Sequence, residues 1–134
     1  MTPQYNTIIT FGTFDLFHIG HLNILKRAKT FGRTLVVGIS TDALNLSKKN
    51  VLPIYNQHDR LEIVKNIQGV DTVFFEESLE MKGDYIREYG ADALIMGDDW
   101  IGRFDWCNEF CEVIYLPRTP EISSTQIKQD VKRA

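Results

Sequence analysis

Apolar residues along this chain alternate between two rhythms, one of short continuous runs and one of helical spacing. Tyr5 to Phe11 is rich in threonine and isoleucine and runs into Gly12, which predicts a strand entering a turn. Gly20 to Phe31 carries Ile24, Leu25, Ala28 and Phe31 at helical spacing, with Gly32 placed as a C-terminal cap. Leu35 to Ile39 is a short apolar run, the pattern of a strand covered on both faces. Ser40 to Tyr55 is polar, holds Lys48, Lys49 and Pro53, and reads as a loop. Leu61, Ile63, Val64 and Ile67 make Asp59 to Ile67 a helix. Thr72 to Phe75 predicts a strand, and Lys82 to Tyr89 a helix closed by Gly90. Ala93 to Met96 is a strand ending at Gly97, and Glu112 to Leu116 a strand stopped by Pro117. Ser124 to Arg133 reads as a terminal helix capped by Ser123 or Ser124.

Five strands alternating with helices predict an α/β domain with a mostly parallel five-stranded sheet and helices on both faces. The 134 residues suit one such domain, spanning 1–134. Ligands of these sheets bind beyond the carboxyl ends of the strands. That rule singles out Gly12 to His21, Ser40 to Lys49, Gly97 to Trp100, and Arg118 to Thr125.

Composition narrows the ligand. With 43% hydrophobic and 25% charged residues the chain is ordinary globular protein, which excludes disorder, collagen and coiled coil. A net charge of −3 argues against bulk attraction to nucleic acid or an anionic membrane. It leaves room for a phosphate ligand, which needs only a few local cations. Cys107 and Cys111, four apart, fit neither a disulfide framework nor a common zinc site and read as core residues in a reducing, cytoplasmic setting. The polar N-terminus lacks a signal-peptide pattern, and no apolar run approaches the ~20 residues that cross a bilayer.

The chemistry concentrates after the first strand. Neither GxxxxGK[ST] nor GxGxxG is present; the segment reads Gly12-Thr13-Phe14-Asp15-Leu16-Phe17-His18-Ile19-Gly20-His21. Gly12 permits close backbone approach, and a helix beginning at Gly20 and His21 offers free N–H groups to an anion. His18 and His21, three apart, can point toward one place. By themselves they fit three roles: core or capping residues, metal ligands, or phosphate contacts. A metal site needs further ligands, and the remaining histidine, His58, lies at a predicted helix entrance.

The string GTFDLFHIGH resembles the signature of the nucleotidyltransferase superfamily that shares His-x-Gly-His with class I aminoacyl-tRNA synthetases. Ser40-Thr41-Asp42, Gly97-Asp98-Asp99-Trp100 with Phe104-Asp105, and Tyr115-Leu116-Pro117-Arg118-Thr119 with Ile122-Ser123-Ser124-Thr125 narrow the likeness to the bacterial glycerol-3-phosphate cytidylyltransferases. The match runs in order from about Thr7 to Lys132. The resemblance implies a single Rossmann-like domain, typically a homodimer. It implies CMP transfer from CTP to glycerol 3-phosphate, giving CDP-glycerol and pyrophosphate by direct in-line attack, with Mg2+ as cofactor. The product commonly feeds teichoic acid or capsule polymers.

Residue by residue, the likeness implies that His18, His21 and Arg118 serve the reaction. Nucleotide contacts fall to Gly12, Thr13, Phe14, Asp98, Asp99, Trp100, Thr119, Ile122, Ser123, Ser124 and Thr125. Lys48 and Lys82 match positions used for the acceptor phosphate; Asp15 is either a metal ligand or a turn cap. As a plain surface residue (Lys48) or packing aromatic (Trp100), two of these have ordinary alternatives. Arg60 reads equally as a surface residue or as a tether for its helix. Two departures stand out. Pro120-Glu121 replaces the family's variable residue and glycine, and Gln68 stands where the family carries an arginine facing the triphosphate, which predicts weaker CTP binding. Two other functions share these features: an adenylyltransferase acting on a flavin or pantetheine phosphate, and a nucleotide-sensing protein without turnover.

Overall fold

The computed structural model describes residues 3–117. The terminal helix expected from Ser124 lies outside them. The strands are β1 (Tyr5–Gly12), β2 (Gly32–Ser40), β3 (Thr72–Glu76), β4 (Ala93–Gly97) and β5 (Glu112–Leu116). Four α-helices connect them: α1 (Ile19–Thr30), α2 (Asp42–Lys49), α3 (Gln57–Lys65) and α4 (Lys82–Tyr89). The strands form one sheet in the order β3-β2-β1-β4-β5, every pair parallel. The order reverses at β1, so the ends of β1 and β4 frame the crevice where ligands bind in such sheets.

Alternation along β1 divides the core. Ile8 joins Leu25, Ala28, Leu35, Val37, Val64 and Ile95 on one face, under α1 and α3. Ile9 and Phe11 join Val36, Tyr85, Ile86, Leu94 and Met96 on the other, under α4. Helices on both faces follow from strands that are apolar on both faces.

Two expectations are corrected. Gly32 is not a left-handed helix cap: Phe31 caps α1 in an ordinary right-handed conformation, and Gly32 opens β2. Its missing side chain has a packing cause, since a Cβ there would stand 2.5 Å from Ile8 Cγ1. The stretch from Ser40 to Tyr55 is also not all loop, because it contains α2. That helix is held by its ends. Thr41 caps it through Oγ1 to the Leu44 N–H at 3.1 Å, and Asp42 sits in its first turn. Lys48 and Lys49 sit in its last turn, and Asn50 closes it at φ 57°. Charges placed this way complement the helix dipole. Only Leu44 and Asn45 are buried, so no apolar stripe announces it. By contrast, Gly90 does close α4 in the left-handed region, at φ 62°.

Candidate active site

The carboxyl ends of β1, β2, β3 and β4 open onto one cleft of about 870 Å³. That is within the usual range for a small-molecule site. Its walls hold Gly12, Thr13, Phe14, Asp15, His18, His21, Lys48, Lys82, Asp99 and Trp100, so most of the candidates converge.

The β1–α1 turn is strained and cross-braced. Phe14 and Leu16 both adopt positive φ, at 56° and 49°, which costs a side-chain-bearing residue ~1–2 kcal/mol each. Gly12 accommodates this arrangement, since a Cβ there would lie 2.7 Å from the Phe14 ring. Asp15, buried between the two strained residues, accepts N–H bonds from Leu16 at 3.1 Å, Ile54 at 2.7 Å and Tyr55 at 2.9 Å. Of its two expected roles the structure gives it the cap: its carboxylate fastens the turn to the 51–56 segment. Among the described residues no group of three or more His, Cys, Asp or Glu could hold a metal ion. Three amide bonds hold the Asp15 carboxylate in the turn.

The two histidines lock each other. His18 is the N-cap of α1, and its Nδ1 accepts the Gly20 N–H at 3.0 Å. His21 Nδ1 accepts the His18 N–H at 3.2 Å, closing a reciprocal capping box. The rings stack with centroids 3.9 Å apart, and Phe14 packs edge-on to His21 at 5.4 Å. With each Nδ1 accepting a backbone proton, the neutral rings carry their own protons on Nε2. Burial pushes the His21 pKa down to about 4, with His18 adding to the effect and Asp15 opposing it. At neutral pH His21 is thus an uncharged donor. Of the readings open from sequence, the contacts show the cap, and they leave both Nε2 edges as donors. His58 stands apart on α3 against Phe75.

The floor of the cleft carries charge. Lys82 is 1% exposed and pairs with Glu76, itself 1% exposed. Lys82 Nζ lies 4.2 Å and 4.6 Å from the ring centres of Phe11 and Phe104. Lys48 Nζ donates to Ser40 Oγ at 3.3 Å and stands 5.9 Å from the Trp100 ring. Trp100 also packs on Phe104 at 5.4 Å, so it is both a wall of the cleft and a packing aromatic.

Arg60 resolves toward the tether. It is buried outright and donates to Tyr55 O, Thr13 O, Ser40 O and the Asp42 carboxylate at 2.7–2.9 Å. One guanidinium thus joins the segments following β1 and β2 to the start of α3. Asn45 adds a second tie, accepting from Thr13 Oγ1 at 2.8 Å.

Some candidates lie elsewhere. Gln68 is exposed in the turn that leads into β3, at the opposite end of that strand from the cleft, so the structure does not bring it to the triphosphate side of its own chain. Asp98 adjoins the cleft without lining it. Arg118, Thr119, Ile122, Ser123, Ser124 and Thr125 fall outside the described residues. Conversely, Ser40, Asn45, Glu76 and Arg103 line the cleft without having been singled out one by one. The strand-end rule applied to β3 would have flagged Glu76; nothing in the spacing distinguished Asn45 or Arg103.

The comparisons with known proteins agree with this geometry. Among solved structures, a lipopolysaccharide core biosynthesis protein from Thermoplasma volcanium superposes with a TM-score of 0.73 at 22% identity, covering 85% of this chain and 98% of that one. That likeness concerns the fold. A glycerol-3-phosphate cytidylyltransferase from Bacillus spizizenii is 48% identical over 92% of this chain and 95% of its own length. One from Staphylococcus aureus is 41% identical over 92% and 93%. The family model described as cytidylyltransferase-like matches residues 9–130, a span that takes in the strained turn, the paired histidines and the charged floor, and the chain belongs to that family.

Proposed function

We propose that the protein transfers CMP from CTP to glycerol 3-phosphate, forming CDP-glycerol and releasing pyrophosphate. An acceptor phosphate oxygen attacks the α-phosphorus in line, the bond to the β-phosphate oxygen breaks, and no enzyme-bound intermediate forms. The observation that carries this reading is the stacked His18–His21 pair, held by backbone amides so that both rings present Nε2 protons. Preorganised donors of this kind stabilise charge as it builds on the transferring phosphates without reorganising.

In this reading Thr13 and Phe14 cradle the phosphates. Asp98, Asp99 and Trp100 serve the base and ribose, and Lys48 and Lys82 take the acceptor phosphate. Arg118, Thr119, Ile122, Ser123, Ser124 and Thr125 supply the second anion site; their assignment rests on the sequence. Mg2+, when bound with the nucleotide, would offset triphosphate charge, and Asp15 is the residue that would hold it directly or through water. A cytoplasmic homodimer and a product destined for teichoic acid or capsule polymers belong to the same reading. The named activity of the Bacillus and Staphylococcus relatives favours glycerol 3-phosphate over other acceptors.

The test is product identification by mass spectrometry with CTP and, in parallel, glycerol 3-phosphate, glycerol 2-phosphate and longer polyol phosphates. CDP-glycerol from the 3-phosphate is the expected product. Turnover with ATP in place of CTP, or none with any acceptor, would overturn the assignment.

A further inference from the structure

Glu76 is the buried carboxylate between the two lysines of the cleft floor. Its Oε2 accepts the Lys82 ammonium and its Oε1 accepts Ser40 Oγ at 3.2 Å. Ser40 Oγ in turn accepts Lys48 Nζ at 3.3 Å. A continuous chain, Lys48–Ser40–Glu76–Lys82, therefore runs across the ends of β2 and β3 and the last turn of α2 to the start of α4. All four residues line the cleft that holds the histidine pair.

We propose that Glu76 is a positioning residue for the acceptor phosphate: through Lys82 directly and through Ser40 indirectly, it keeps both lysines charged and fixed in place. The inference rests on the assignment of the acceptor phosphate to Lys48 and Lys82.

Placement alone creates the need for such a group. Two ammonium ions share a pocket walled by Phe11, Phe104 and Trp100, where burial and mutual repulsion both favour the neutral amine. Burial pushes Lys48 down to about 8; Glu76 opposes this, while Lys49, Lys82 and Arg60 reinforce it. Lys82 is likewise held below its ordinary value by burial, against Glu76 and, more weakly, Cys107. Among the described residues, the remaining charged or titratable groups on the cleft wall are Asp15, His18, His21, Arg27, Asp99 and Arg103. Asp15 is spent on amides and Asp99 lies across the cleft after β4, so Glu76 is the carboxylate within reach of the lysines. A phosphate monoester loses its second proton near pH 6. The acceptor thus arrives as a dianion from about pH 7 upward, and its binding should persist until Lys48 deprotonates.

Glu76→Gln keeps the shape and one acceptor oxygen, makes the other position an amide donor, and removes the charge. Steady-state kinetics over pH 6–9.5 measures the KM for each substrate. In the unaltered protein the glycerol 3-phosphate KM should rise above pH 8. In Glu76→Gln that rise should begin at least one pH unit lower, giving about a tenfold higher acceptor KM at pH 8 with the CTP KM changed less than twofold. A lower acceptor KM at every pH would overturn the proposal, because Glu76 would then be a counter-charge competing with the phosphate; equal changes in both KM values would do the same. NMR titration of the lysine side chains without substrate should show the acidward shift directly, so this measurement is independent of the acceptor's identity. If the unaltered protein makes no CDP-glycerol, the acceptor assignment fails while the titration still decides the role of Glu76 toward the lysines. If Glu76→Gln does not fold, Ser40→Ala severs the link to Lys48 without uncovering a charge. It should raise the acceptor KM and shift Lys48 acidward; an unchanged Lys48 titration would refute the relay.

Discussion

The β1–α1 turn and the Glu76 cluster face the same cleft and, in the reaction proposed above, prepare it for phosphate by different means. In the turn, the two histidines are fixed locally, His18 to Gly20 and His21 to His18, while Asp15, through Ile54 and Tyr55, and Thr13, through Asn45 and Arg60, tie the segment to distant parts of the chain. Its donors are neutral, so they need no counter-charge. In the cluster, the contacts join residues 40, 48, 76 and 82, and two cations sit in an apolar setting against one carboxylate. Local bracing suits donors that must not move during the reaction. Shared charge suits a subsite that must receive a dianion and release a product.

The sharpest way to break the contrast is to unpair the cluster. Lys82→Met should destabilise the protein by about 3–5 kcal/mol, because Glu76 would remain buried without its partner. Adding Glu76→Gln should restore most of that loss; denaturant unfolding of the single and double variants checks it. A single variant as stable as the parent would mean that the pair is effectively solvated.

Next in size is the turn's contribution to the reaction. His21→Ala or His18→Ala should lower kcat with CTP by 100- to 1000-fold, roughly 3–4 kcal/mol of transition-state stabilisation. The accompanying loss of helix capping should cost only about 1 kcal/mol in stability. Unchanged turnover in either variant would remove the turn's chemical role altogether.

Asp15→Asn tests how far the turn depends on its clasp to Ile54 and Tyr55. Replacing a charged acceptor of three N–H bonds by an amide should cost about 2 kcal/mol, read by thermal unfolding.

The smallest effect separates the two regions by pH. His21 is pushed below its ordinary value, so the unfolded chain binds its proton more readily, and stability should fall as pH drops from 6.5 toward 4. Lys48 is also lowered, so its buried charge weighs against folding at neutral pH. Stability should therefore rise as pH climbs from about 8 toward 10.5. Both side chains are partly open to solvent, and each step should be about 1–2 kcal/mol. His21→Ala should remove the acid step, and Lys48→Met should remove Lys48's share of the alkaline one, to which Lys82 adds and the raised thiols of Cys107 and Cys111 are opposed.

The same division governs how much was legible beforehand. The strands could be read because β1, β2 and β4 are apolar on both faces, and α1 because Leu25 and Ala28 recur on one side. The histidine pair was visible as a three-residue spacing. α2 was hidden because it is stabilised by Thr41, Asn50 and end charges rather than by a stripe. Glu76 and Arg60 were hidden for a different reason. A charged residue in a sequence carries no mark of burial, and here burial depends on partners 5 to 47 positions away. Gln68 precedes β3, at the end of that strand away from the cleft, which the spacing alone does not show.

The anchoring of residues 54 and 55 to Asp15 has a practical bearing on redesign. The stretch from Val51 to Pro53 forms part of the cleft wall and is bounded by the left-handed Asn50 on one side and by that clasp on the other. Lengthening or shortening this stretch would reshape the acceptor's neighbourhood while both flanks stay moored. It is the natural place to graft diversity when seeking an enzyme for a bulkier alcohol phosphate.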